Sequence, residues 1–108
     1  MVAPEDTFTV SATVGTTEVI LLPVPETKSE AKIYVMVISA PGVDNTVTFK
    51  VYKGDVLEGS FTIPMPANAT IGMLQPTDSP IVSIPSGRTL KVVAAAPSVS
   101  ILISAYYL

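Results

Sequence analysis

Any chemistry in this chain has to come from oxygen and amine groups, because its 108 residues include no histidine and no cysteine. The commonest general base, the thiol nucleophile and most zinc and copper ligands are therefore missing. What remains is nine Asp and Glu, six Lys and Arg, the Ser and Thr hydroxyls and four tyrosines. A glycosidase would need two carboxylates facing each other across a cleft. Glu5 and Asp6 are adjacent, and Glu26 and Glu30 flank Lys28. Most of the acids sit in turn-like stretches or beside lysines, where solvation and loose pairing account for them. A chain this short also has little room for a cleft. We read no catalytic residue and expect no enzyme activity.

Binding motifs are equally sparse. Neither a GxxxxGK[ST] nor a GxGxxG phosphate cradle is present. Asp44, Asp55 and Asp78 are isolated acids without the alternating spacing of a calcium loop, and an Asp in that setting usually closes a turn. No metal and no cofactor is expected. Asn68-Ala69-Thr70 matches the glycosylation pattern. The start of the chain has neither the basic nor the apolar region of a secretory leader, so that stretch reads as a loop. Tyr34, Tyr52, Tyr106 and Tyr107 could stack on sugars, but tyrosine is equally favoured in strands and at protein interfaces. A net charge of −3 without any Lys/Arg run argues against nucleic acid as a partner.

Charge distribution is the stronger signal. Charged residues make 14% of the chain, against about 25% in an average globular protein. Twelve of the fifteen lie in residues 1–58, which leaves only Asp78, Arg88 and Lys91 for the last fifty. A protein this small needs charge to coat a free surface. A neutral C-terminal half therefore points to a face covered by copies of the chain or by a partner.

The elements that would carry such a face are strands. No segment repeats apolar residues at helical spacing over three turns, whereas Val-, Ile-, Thr- and Tyr-rich runs alternate with Pro, Gly, Asn and Asp. The pattern predicts strands at Thr7–Val14, Glu18–Leu22, Ala31–Ser39, Thr46–Lys53, Val56–Ile63, Ile71–Leu74, Ile81–Ile84, Thr89–Ala95 and Val99–Tyr107. Gly54-Asp55 is a two-residue hairpin turn by composition. Eight or nine short strands in one domain, residues 1–108, define an all-β antiparallel sandwich of Greek-key or jelly-roll type. The run from Val92 to Leu108 is broken by Pro97 and dotted with serines. It is expected to form two strands and not a membrane span.

Within "SVSILISAYY" the period of two sends Val99, Ile101, Ile103 and Ala105 to the core, and Ser100, Leu102, Ser104 and Tyr106 outward. Tyr106 and Tyr107 must face opposite sides. An outer face with Leu102, Tyr106 and Leu108 on it is the expected oligomer interface.

The second half, "TVTFKVYKGDVLEGSFTIP" and then "IVSIPSGRTLKVVAAAPSVSILISAYYL", runs hairpin, proline-rich connector, turn, strand, short turn and closing strand. In it Ser86-Gly87 leads to Leu90, Val92 and Ala94, followed by the apolar last strand. Over residues 46–108 this order resembles small β-sandwich virion proteins of tailed phages: head-decoration, neck-fibre or tail-associated subunits. The resemblance implies a non-enzymatic subunit located in the virion, commonly trimeric and attached to a capsid or tail protein. Two other readings stay open: a carbohydrate- or surface-binding module, and a pilus or surface-layer subunit.

Overall fold

The structure, a computed structural model, describes residues 7–108. Glu5 and Asp6 lie outside the described residues. Nine strands follow in order: β1 (Thr7–Val14), β2 (Val19–Pro23), β3 (Glu30–Ala40), β4 (Asn45–Lys53), β5 (Val56–Met65), β6 (Ala69–Leu74), β7 (Val82–Pro85), β8 (Thr89–Ala94) and β9 (Val99–Tyr107). All nine expected strands are present, most shifted by a residue or two at their ends. β5 runs on through Pro64, which an edge strand tolerates because one of its sides needs no donor.

The strands form two antiparallel sheets. One has the order β1-β9-β3-β6, with β7 pairing the other end of β3; the second has the order β2-β8-β4-β5. The pairings are nested. β4 pairs with β5, β3 with β6, β2 with β8 and β1 with β9. One long double ribbon, rolled so that alternate pairs fall in opposite sheets, gives this order, which is the jelly roll. Strand spacing alone had left Greek key and jelly roll open, and the nesting decides between them.

Alternation builds the core. Ile33, Met36 and Ile38 of β3 and Val99, Ile101 and Ile103 of β9 meet Val47 and Phe49 of β4 and Leu90 and Val92 of β8, all almost fully buried. The sheets approach most closely where β1 faces β2 and β8. At the opposite side Phe61 of β5 stacks on Phe49 at 4.9 Å between ring centres yet stays partly open. Gly54 at φ 62° makes the β4–β5 turn, as its composition foretold. Asn45, the buried polar side chain among the described residues, ties the start of β4 to the β8–β9 connection. Its Oδ1 accepts from the backbone N–H of Thr46, Ala95 and Ala96 at 2.8, 3.0 and 3.0 Å, and its Nδ2 donates to the Ala96 carbonyl at 2.8 Å.

Candidate assembly interface

The two outer faces of the sandwich differ in kind. On the β2-β8-β4-β5 sheet, Lys50 lies opposite Lys91 across β4 and β8, a repulsive pair by itself. Glu18 relieves it with an ion pair to Lys50 Nζ at 3.1 Å, the Tyr52 hydroxyl donates to the same carboxylate at 3.4 Å, and Lys91 Nζ sits 4.7 Å from the Tyr52 ring centre. Nearby, Arg88 Nε donates to Glu58 at 2.8 Å, and this bond holds the Glu58 carboxyl below the usual range while raising the guanidinium. These are charges arranged to meet water.

The β1-β9-β3-β6 face is almost neutral. Register sets its residues in rows: Thr13, Ser100, Ser39 and Thr70; then Ser11, Leu102, Val37 and Gly72; then Thr9, Ser104, Val35 and Leu74. Its hydroxyls satisfy one another sideways, Thr9 with Ser104 and Ser39 with Thr70, both at 3.1 Å. Along these strands, among the described residues, charge appears on the face only at one end, where Glu30 and Lys32 neutralise each other at 3.0 Å. An open groove of about 350 Å³ lies between the Thr13, Ser100 and Ser39 row and the Ser11, Leu102 and Val37 row.

The middle row has a shape of its own. Leu102 projects with 38% of its surface exposed. Two strands away Gly72 presents no side chain, and a Cβ placed there would meet nothing within 4 Å. A projecting side chain and a position that carries none thus stand about 10 Å apart on one face, two inter-strand steps.

Of the three residues expected at an interface, Leu102 lies on this face and Leu108 is half exposed beyond its end. The Leu108 N–H donates to the Glu30 carbonyl at 2.9 Å and its carbonyl accepts from Ser29 N–H at 2.6 Å, which pins the residue beside the start of β3. Six residues of extended chain, roughly 20 Å, separate the two leucines. Tyr106 lies between them. It points away from the core, as the alternation requires, but is only 3% exposed. Residues 75–81 fold over it, and its hydroxyl donates to the Thr77 carbonyl. Gln75 N–H to the Tyr34 carbonyl and Ile81 N–H to the Ile33 carbonyl, each 2.8 Å, hold that cover in place. Tyr106 therefore has its partner within the chain.

The other tyrosines are also engaged. Tyr107 packs on Phe8 at 5.0 Å and donates to the Pro23 carbonyl at 2.6 Å, with burial pushing its phenol pKa up. Tyr52 belongs to the opposite sheet, and Tyr34 lies beside Tyr106. The four do not line a common groove. Among the described residues no three carboxylates come together as a metal cluster. Sequence reading passed over Val37 and Gly72. The signal for Val37 was the run "AKIYVMVIS", apolar on both faces; for Gly72 there was none until its row was known.

No family model matches this chain, and no curated protein does. Among solved structures, a chain of the Bacillus endospore appendages, a family of disulfide-linked pili, is 12% identical with a TM-score of 0.56, covering 95% of this chain and 86% of that one. A chain of the acid-stable capsid of Helicobacter pylori bacteriophage KHP30 is 11% identical with a TM-score of 0.55, covering 94% and 87%. At these identities the likeness is one of fold. The fold is therefore one found in a virus capsid and in a pilus.

Proposed function

We propose that this chain is a non-enzymatic structural subunit of a virus particle, a capsid-decoration or tail/neck accessory protein, which assembles with copies of itself through the neutral β1-β9-β3-β6 face. The carrying observation is the contrast between the two faces: one ordered for water by paired charges, the other with neutral rows around Leu102. On this reading the Leu102 projection of one copy enters the Gly72 notch of another, and Leu108 contributes at the rim. Tyr106 acts from beneath by fixing residues 75–81. The capsid neighbour supports the virion setting. A pilus subunit is the second reading, favoured by the equally similar appendage protein. The disulfides for which those pili are named have no cysteine to use here, so assembly of this chain would have to do without them.

Two substitutions test the interface. Leu102→Lys buries an unpaired charge at the contact and should weaken association on the order of 100-fold, equivalent to about 3 kcal/mol. Gly72→Val fills the notch where the fold has space, so it should also block association while leaving the unfolding midpoint unchanged or higher. Native mass across a salt series reads both. A wild-type chain that is monomeric at high concentration, or a Gly72→Val chain that assembles as well as wild type, refutes this face. Electron microscopy separates closed particles or rings from the open filaments of the pilus reading.

A further inference from the structure

The pairing along β3 contains a detour. Leu74 of β6 lies opposite Val35 and Val82 of β7 lies opposite Ile33, both antiparallel, so the two strands run in one line with a single place, opposite Tyr34, between them. One residue would complete one strand. Seven residues, Gln75 to Ile81, are used instead. They leave the edge and cross the outer side of β3 to β9, where the Thr77 carbonyl accepts from the Tyr106 hydroxyl. The segment starts and ends at neighbouring places on β3 and turns on itself through Ser79 N–H to the Pro76 carbonyl at 3.0 Å, which is the form of a short Ω-loop.

This loop is laid over the face and belongs to neither sheet. Gln75, Pro76, Asp78 and Ser79 are exposed, and Thr77, Pro80 and Ile81 are only partly buried. Its two feet are tied to β3 by the Gln75 and Ile81 amides, each at 2.8 Å from its acceptor. Pro76 and Pro80 have no N–H to offer, so the loop cannot be drawn into the ladder as a pairing strand. A segment with so little buried surface of its own opens locally at a free energy well below that of the whole fold. Beneath it the rings of Tyr34 and Tyr106 lie 6.1 Å apart. Tyr106 ends the column of β9 that begins with Leu102 and Ser104. Uncovered, the two tyrosines would lengthen the neutral face with the kind of side chain enriched at interfaces.

We propose that residues 75–81 are a displaceable cover on the assembly face, keeping Tyr34 and Tyr106 out of the contact between copies until it opens. This rests on the reading of that face as the surface of self-assembly. While only a small fraction of chains is open, the affinity of a contact that needs the open form is reduced by that fraction. Replacing Gln75–Ile81 by one threonine joins β6 to β7 and removes the cover. In that chain tetranitromethane should nitrate Tyr106, which stays protected in the wild type, and native mass across a concentration series should show association tightened about tenfold or more. In the complete chain Tyr106→Phe releases the Thr77 carbonyl and should tighten association about fivefold. That variant decides the matter if circular dichroism shows the shortened chain unfolded. A folded shortened chain whose Tyr106 does not react overturns the cover. So does a wild type that assembles, and loses assembly with Leu102→Lys, while neither cover variant associates more tightly; the face then stands without it. A wild type that never assembles, or one whose assembly survives Leu102→Lys, overturns the face and the cover together.

Discussion

Replacing Asn45 by alanine should be among the most damaging polar substitutions the fold can suffer. The side chain is 7% exposed and makes four hydrogen bonds to backbone: three accepted by Oδ1 and one donated by Nδ2. Alanine removes them all and leaves the Thr46 and Ala96 N–H groups and the Ala96 carbonyl to find new partners, while the Ala95 N–H keeps its bond to the Thr46 carbonyl at 3.0 Å. Thr46 lies at the surface, so water recovers its donor. The Ala96 N–H and carbonyl are less accessible, and each orphaned group costs about 1–3 kcal/mol. The expected loss is about 3 kcal/mol, a large part of the roughly 5–15 kcal/mol available to a domain. At about 4–8 °C per kcal/mol for this size, the melting temperature should fall by roughly 12–24 °C. Urea unfolding followed by circular dichroism measures this, with an unchanged m-value showing that the unfolding reaction is the same. A loss under about 1 kcal/mol for alanine would refute the role assigned to Oδ1.

Three further outcomes follow from the same geometry. Tyr106→Phe removes only the bond to the Thr77 carbonyl, costing about 1 kcal/mol, and hydrogen exchange should show the Gln75 and Ile81 amides losing protection before the core does. Gly87 sits at φ 73° with the Glu26 side chain 3.4 Å from where a Cβ would lie. Gly87→Ala should therefore destabilise by about 1–2 kcal/mol in denaturant, in contrast to Gly72→Ala. Burial raises the Tyr107 pKa in the folded chain. Its contribution is thus complete below the unfolded tyrosine pKa near 10 and is lost as pH rises through the folded value. Tyr107→Phe should flatten the alkaline limb of the stability profile, and tyrosinate absorbance should show one tyrosine ionising late.

Strand positions were legible because each strand with one wet face carries its own period of two, as in Val47, Phe49 and Val51 against Thr48, Lys50 and Tyr52. Turns were legible where backbone conformation limits the choice of residue, as at Gly54. Pairing was not, since nothing local in β1 says that its neighbour is β9, some ninety residues away. The same gap explains Tyr106: alternation gives its direction correctly, but the path of residues 75–81 depends on where β3 and β6 place the ends of that connection. Asn45 was readable only as a turn residue, because the three amides it serves include two from the far side of the roll. The neutral face was foreshadowed by composition, whereas its shape required the rows.

The nesting of the strand pairs also has a consequence for timing. β4 and β5 close across a two-residue turn, while β9 must find β1 and β3 at long range, the step with the largest loop-closure cost. β9 lies between β1 and β3, so neither has its partner on that side until residues 99–107 have been made and inserted. The four-strand neutral face is complete only after that step. On the proposed function, a chain whose residues 99–107 have not yet been inserted lacks the surface by which copies would recognise one another. If the proposed assembly holds, insertion of β9 would act as a checkpoint, separating maturation of the chain from its recruitment into a larger structure.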